Sequence, residues 1–595
     1  MLLLSAISAL VVFLYTGDKQ PYLLTLKWFS IAGQYISAGF LIDGLASTML
    51  LVVTFISMLV HIYSIGYMAG DRSIRRYFAM LGLFTFAMLV IVVANDLLLL
   101  FMGWELVGFS SYMLIGHWKE KPSATRAAKK AFVLNRIGDA GFLIGLMILW
   151  TNHGSFDIGD WTNMGSVDSW QTAASLFIFC GVVGKSAQFP LLNWLPDAME
   201  GPTPVSALIH AATMVAAGVF LVVRIFALFT PTALDVVILV GLITAALGAL
   251  SAFGQNDIKK ILAYSTVSQL GLMVTALGAG NPEAAFAHLF THAFFKAGLF
   301  LAAGSIIHSL HQAQQQAHAH FDVQDIRNLG GLRKKLPTVF GVFLVAGSSL
   351  AGLPFFSGFL SKDAILTAVL SSAGTEITWK WLITAGVFFV SFLTMVYTFR
   401  LIWSIFCGEE KKTAGLSVVE PPVVMQAPII ILAVCSLWII ISWNPFVHTR
   451  WGQLHLEHNW IITIFSAIWV ICALITAYLL RNRTLNSALL SRGFYLDNLY
   501  NWTIRNIGFT LAQTTSTTDK RWIDGVIHAT AYGQVIFAHV TGWIDRALVD
   551  GTVNGIADMI KGVGAFTRSF QAGKIQLYIF WSVFTIIIFL IWTLL

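Results

Sequence analysis

The sequence predicts an all-α polytopic membrane protein of about 15 spanning helices, in two inverted repeats that each contain a discontinuous helix, plus a long lateral amphipathic helix. Three observations lead there. The 595 residues are 57% hydrophobic and only 11% charged, with a mean hydropathy of +0.77, whereas a soluble domain carries about 25% charged residues. Apolar runs long enough to cross a hydrocarbon core recur from one end of the chain to the other. Two of those runs are interrupted by Gly and Pro at corresponding places in two halves of the chain.

Taken in order, the apolar runs predict spans at 1–15, 38–68, 76–93, 97–117, 131–152, 171–195, 203–229, 235–254, 258–278, 283–309, 336–371, 380–406, 428–443, 460–480 and 575–595. The run 1–15 has no basic residue before it and no small-residue cleavage site, so it reads as a retained helix rather than a removed signal. Pro190 and Pro196 break 171–195, and Pro354 with Gly352 and Gly358 breaks 336–371. Proline removes a backbone donor and collides with the preceding turn, and the freed carbonyls must then face protein or a wet cavity. The predicted organisation is 1–75 as N-terminal spans, 76–229 and 235–406 as the two repeat halves, and 428–480 as additional spans. A cytoplasmic connector with the lateral helix follows at 481–574, and 575–595 is a closing span.

Alternating the spans gathers sixteen Lys and Arg on one side, among them Arg75, Arg76, Lys129, Lys130, Lys259, Lys260, Arg333, Lys334 and Lys411, against four on the other. The first side is expected to be cytoplasmic, with the N-terminus inside and the C-terminus periplasmic. Over 514–570 apolar residues recur at helical spacing between charges, without proline, which predicts a helix about 85 Å long on the cytoplasmic surface. Its seven glycines weaken it in isolation. It is either a surface anchor or a brace along neighbouring subunits.

Charges inside the spans carry the chemistry. Glu105 and Lys185 each stand alone in an apolar run, and Lys362 lies beside the second break; such residues are expensive in a bilayer and mark ion or proton paths. His288, His292 and Lys296, four residues apart, share one helix face and cover about 12 Å of depth. His210 is buried early in 203–229. Imidazoles titrate near neutrality and pass protons between their two nitrogens. Asp139 either joins this line or only neutralises Arg136 three residues before it, and Asp363 either takes part or only holds the charge of Lys362. Two membrane histidines also fit a haem, although nothing else marks one. Gly184-Lys185-Ser186 imitates the end of a P-loop but lacks the preceding glycine and strand. The segment 308–320, with His308, His311, His318 and His320, is expected as a solvated loop rather than a metal site. Cys180, Cys407, Cys435 and Cys472 are isolated and have no metal-cluster spacing.

Several stretches resemble the proton-translocating antiporter-like, Mrp-related family of respiratory complex I: Trp104-Glu105-Leu106-Val107-Gly108, Gly184-Lys185-Ser186-Ala187-Gln188, residues 196–214 from Pro196 to Met214, Tyr264 to Gly271, and His292-Ala293-Phe294-Phe295-Lys296-Ala297. The resemblance implies that Glu105 pairs with Lys185, that His210 links this pair to Lys296 and the two histidines, and that Lys362 is the terminal donor or acceptor. It implies no redox centre in this chain, with NAD, FMN, iron–sulfur clusters and quinone in other subunits. The implied partners are membrane lipids and the other membrane subunits, above all a neighbouring antiporter-like subunit along the lateral helix, in a bacterial inner membrane; no nucleic acid is implied. The family pattern has one more helix at the N-terminus and a shorter 311–320 loop. Mrp-type cation/proton antiporter subunits, related hydrogenases and plastoquinone-linked complexes share the buried charges, while the lateral helix and closing span favour the NADH:quinone oxidoreductases.

Overall fold

The computed structural model describes residues 2–16, 21–31, 34–163, 169–371, 377–437, 460–480, 487–571 and 573–595. They group into two compact units, Met1–Asp497 and Asn498–Leu595, so residues 487–497, in the first part of the predicted connector, belong with the bundle rather than with the long helix.

Helix α1 (Leu2–Thr16) is followed by an antiparallel hairpin, β1 (Tyr22–Ile31) and β2 (Gln34–Ile42), in the register Tyr22 to Ile42. This corrects the span expected from residue 38. A Cβ on Gly39 would come within 1.9 Å of the Leu24 carbonyl oxygen, so a glycine lets the strands close there. Helix α2 (Gly44–Tyr67) starts only after Asp43, whose carboxylate accepts from the Ala46 amide at 2.8 Å. α3 (Ile74–Val93) and α4 (Leu97–Ile115) follow, the latter capped by Asp96. α5 (Pro122–His153) begins nine residues earlier than expected, with Pro122 in its first turn where its missing N–H costs nothing.

The two expected breaks are present. α6 (Ser169–Lys185) stops at Lys185 and resumes as the short α7 (Trp194–Asp197); α13 (Pro337–Ala351) and α14 (Ser357–Ser371) flank Gly352, which sits at φ +81°. A third break was not expected: 203–229 divides into α8 (Thr203–Ala211) and α9 (Met214–Arg224). The freed Leu208 carbonyl there accepts from Thr213 Oγ1 at 2.6 Å, so a hydroxyl takes over the work of the missing helical bond.

α10 (Pro231–Gly254), α11 (Ile258–Gly278) and α12 (Pro282–Ala317) complete the centre. α12 runs through most of the supposed loop, so His308 and His311 lie on a helix, and His318 ends it in the left-handed region. α15 (Ile377–Ile402), α16 (Val423–Cys435), α17 (Trp460–Leu480) and the short α18 (Ala488–Ser491) finish the first unit; residues 438–443 of one expected span lie outside the described residues. Every residue of the apolar window in α8–α9 is buried, as is 94% of those in α11 and α12. The core is therefore built from the helices that carry His210, Lys296 and their neighbours.

Ten of the described helical stretches, counting α8–α9 as one, are long and apolar enough to cross a membrane. The remaining expected spans fall on α1, α6, the α13–α14 pair, α16 and α17, which are shorter or broken. From α19 (Leu496–Thr503), whose first two residues still belong to the first unit, α20 (Phe509–Thr518), α21 (Asp524–Ile544) and α22 (Gly551–Ser569) follow one another through wider helical turns, with helical angles at every junction. Helical structure thus starts well before residue 514. Its apolar residues, among them Trp522, Val535 and Trp543, are exposed, as are those of α23 (Ile575–Leu594).

Candidate functional site

In the first half, close packing sets the geometry. Gly138, Gly141 and Gly145 on α5 lie so near α6 that a Cβ at any of them would come within 2.7 Å of Cys180 or Ile178, the small-residue approach that membrane helices use. It brings Asp139 to the end of α6, where Lys185 Nζ lies 3.4 Å from Asp139 Oδ2 and the Trp104 indole donates to Asp139 Oδ1 at 2.6 Å. Both Lys185 and Asp139 are at most 3% exposed. Glu105 makes its ion pair with Arg136, which also lies 3.8 Å from Asp139. The expected Glu105–Lys185 contact is thus replaced by an alternating row, Glu105, Arg136, Asp139, Lys185. Helix α5 interposes two charges because Arg136 and Asp139, three apart, face the same way. Gly108 leaves room for the row: a Cβ there would stand 2.7 Å from Lys185 Nζ.

Beyond Lys185 the helix break is satisfied internally. The Trp194 indole donates to the Gly184 carbonyl at 2.9 Å and Ser186 Oγ to the Val215 carbonyl at 2.7 Å, which ties α6 to α9. His210, one residue before the end of α8, is fully buried against Phe300, and neither of its nitrogens has a hydrogen-bond partner among the described residues. His292 reaches the backbone of Ala211 at the same break.

The α12 face holds the predicted trio. Lys296 donates to Ser265 Oγ and, at 3.2 Å, to the Leu262 carbonyl of α11. His288 Nδ1 lies 2.8 Å from Ser361 Oγ and its Nε2 3.1 Å from Gln269 Oε1, and Ser361 also meets Thr291 at 2.9 Å. Ser361 immediately precedes Lys362, which donates to the Leu350 carbonyl at 2.6 Å across the α13–α14 break. Gly352 leaves room for that side chain, since a Cβ there would lie 3.2 Å from Lys362 Cδ. Lys362 and Asp363 line a cavity with Ser391 of α15 and with Ser466 and Trp469 of α17.

The structure gathers Glu105, Asp139 and Lys185 in one cluster, and His288, His292, Lys296 and Lys362 along the α11–α12–α14 interface, with His210 against Phe300 of α12. Sequence reasoning missed the neutral members, Trp104, Ser265, Gln269, Thr291 and Ser361. The signal for two of them was available, because Ser265, Thr266, Ser268 and Gln269 crowd polar groups into one membrane helix. It also counted Lys259 among the loop charges, whereas Lys259 is buried and donates to the carbonyls of Met199 and Gly201.

All of these groups fall within residues 94–394, which match the family described as NADH:quinone oxidoreductase/Mrp antiporter, TM; residues 28–78 match NADH-Ubiquinone oxidoreductase (complex I), chain 5 N-terminus. The chain is 38% identical over 587 residues to NADH-quinone oxidoreductase subunit L of Mycobacterium tuberculosis, covering 94% of this chain and 87% of that one. It is 37% identical over 623 residues to the chloroplastic NAD(P)H-quinone oxidoreductase subunit 5 of Mesostigma viride, covering 98% and 90%. It is 43% identical over 477 residues to subunit L of Rhodobacter capsulatus, covering 74% and 65%. Among solved structures, the Mrp complex from Dietzia sp. DQ12-45-1b superposes with a TM-score of 0.72 at 26% identity, over 91% of this chain and 59% of that chain. A row of buried charges on broken helices, within a chain related to these proteins along nearly its whole length, leads to one assignment: the chain belongs to the NADH:quinone oxidoreductase/Mrp antiporter family.

Proposed function

We propose that this chain is the L-type, proton-translocating membrane subunit of an NADH:quinone oxidoreductase. Protons pass along Lys185, His210, Lys296, His292, His288 and Lys362 while quinone chemistry elsewhere in the complex drives them, and the chain itself holds no redox centre. The observation that carries the reading is the line of buried lysines and histidines ending at two helix breaks, in which Lys296, His288 and Lys362 each have a hydroxyl or carbonyl at hand. Glu105, Arg136 and Asp139 set the charge around Lys185. Similarity to the Mrp complex fits a cation/proton antiporter as the second reading; the near full-length similarity to subunit L favours the first. Copurification of NADH-oxidising subunits with the chain separates the two.

The finer architecture is part of the proposal. The breaks repeat in sequence: Ala187-Gln188-Phe189-Pro190 with Asp197-Ala198 in one half, Ala351-Gly352-Leu353-Pro354 with Asp363-Ala364 in the other, which supports two inverted repeats and about 15 crossings. The Lys- and Arg-bearing loops join one another through the Asp257–Asp325 bridge and the Lys335–Glu410 pair, in keeping with a cytoplasmic face. The apolar residues exposed along α21 and α22 support a lateral brace against neighbouring subunits. Deleting 514–595 should then release the subunit from the complex; full association and activity of the truncated protein overturns the brace. Proton pumping per NADH oxidised, in vesicles with equal amounts of assembled complex, tests the line itself: Lys362→Met should abolish most of it.

A further inference from the structure

A second set of polar side chains, outside the line just described, runs from the end of α12 to His210. At its outer end the ring of His308, half-buried on the last turns of α12, lies 5.9 Å from that of Tyr67 on α2. Tyr67 Oη meets Thr203 Oγ1 of α8 at 3.0 Å. Thr203, Ser206 and His210 stand at i, i+3 and i+7, which is one face of α8. All three side chains are at most 2% exposed. Ser206 Oγ and both nitrogens of His210 are buried with no hydrogen-bond partner among the described residues. An unpartnered buried polar atom costs about 1–3 kcal/mol, so three such atoms on Ser206 and His210, on the helix face that also carries the Thr203 hydroxyl bonded to Tyr67, call for polar molecules between them. The backbone of α12 comes close at the same level, where a Cβ on Gly304 would lie 2.8 Å from Tyr63 Oη and 3.0 Å from Thr203 Cγ2. Large side chains are thereby kept out of the seam.

From this geometry we infer that the α2–α8–α12 seam is the proton inlet of the subunit: protons collected at His308 pass by Tyr67 and Thr203, and by water held at Ser206, to His210. Each hydroxyl or water accepts a proton on an oxygen lone pair and releases its own O–H proton to the next acceptor, so one proton leaves the surface and one arrives at an imidazole nitrogen of His210, with no net change between. The segment rich in histidine thus serves as a proton collector at the mouth of this seam. The inference rests on the reading of His210 and Lys296 as part of a proton path.

The test compares Thr203→Val, which keeps the shape and removes the hydroxyl, with Thr203→Ser, which restores it, at equal amounts of assembled complex in vesicles. Thr203→Val should lower the rate of NADH-driven proton uptake at least 3-fold and raise its solvent deuterium isotope effect, and Thr203→Ser should return both toward wild type. Wild-type uptake and isotope effect in Thr203→Val overturn the inlet. If Thr203→Val does not assemble, Tyr67→Phe removes only the partner hydroxyl and is read the same way. Lys296→Met separates the two readings. Lost pumping there with normal Thr203→Val and Tyr67→Phe refutes the inlet alone; normal pumping in Lys296→Met refutes the proton path on which it rests.

Discussion

Lys185 in the first half and Lys362 in the second are both buried lysines at the break of a helix, yet their surroundings differ in kind. Around Lys185 the partners are charged: Asp139 faces it, Arg136 stands behind Asp139, and Glu105 closes the row. Around Lys362 and Lys296 the contacts are neutral: the carbonyls of Leu350 and Leu262 and the hydroxyl of Ser265. A buried ion pair holds its proton distribution, because neutralising one member leaves the other uncompensated in a medium of low dielectric. A lysine held by carbonyls and hydroxyls can lose its proton without stranding a carboxylate. On the proposed reading Glu105, Arg136 and Asp139 set the charge around Lys185, whereas the second half passes the proton on among neutral partners.

The largest expected effect tests the second half directly. Both Lys362→Met and Lys362→Arg should cut proton pumping per NADH about 10-fold or more, since Met cannot titrate and Arg cannot release its proton. Wild-type pumping by Lys362→Arg would make this lysine a fixed charge and erase the contrast.

Stability sharpens the comparison next. Asp139→Asn leaves the buried Lys185 ammonium without its carboxylate and should destabilise the assembled subunit by about 3 kcal/mol, whereas the double variant Lys185→Met with Asp139→Leu should regain much of that. Lys296→Met breaks only neutral contacts and should cost about 1 kcal/mol. Thermal unfolding of the purified complex measures all three, and equal losses in Asp139→Asn and Lys296→Met would contradict the difference drawn between the halves.

A smaller effect is expected from space. Gly108→Ala puts a methyl against the Lys185 ammonium and should cost about 1–3 kcal/mol by overpacking. Gly352→Ala adds the strain of a left-handed residue, about 1 kcal/mol, to its contact with Lys362. Each should slow pumping through its own lysine, a result checked by combining it with the matching lysine variant, where no further loss should appear. The smallest change in stability belongs to Glu105→Gln: Arg136 keeps a second carboxylate, Asp139, 3.8 Å away, and glutamine keeps an oxygen to accept from it, so the loss should stay at about 1 kcal/mol. Pumping should nonetheless fall several-fold, and a wild-type proton yield would remove Glu105 from the row.

Much of this site was legible before any coordinates. Glu105, Lys185 and Lys362 stood out because a charge in an apolar run is costly, and His288, His292 and Lys296 because a spacing of four fixes one face of a helix. The partner of each charge was not legible. Glu105 and Lys185 are on α4 and α6, and nothing in either run tells that α5 passes between them with Arg136 and Asp139. The break at Ala212–Thr213 escaped because no proline marks it. The hairpin before α2 escaped because an apolar run at residue 38 reads as well for a strand as for the start of a span, until Gly39 and the Asp43 cap are seen in place. The histidines at 308 and 311 looked like loop residues because glutamine-rich sequence is polar, yet α12 carries them on past its apolar part.

What the sequence alone determined is what depends on one segment at a time: that the chain crosses a membrane, which helices break at proline and glycine, how deep each charge lies along its own helix, and which family it resembles. What only the tertiary structure decided is what depends on how helices face one another: the Asp139–Lys185 pairing, the burial of Lys259, the hydroxyls that hold His288 and Lys296, and the seam from His308 to His210. The reason is physical. Helical period and hydropathy are local properties, fixed by residues within a few turns, whereas facing and distance between helices follow from close packing, and here from glycines such as Gly138, Gly141 and Gly145 whose effect appears only when the neighbouring helix is present.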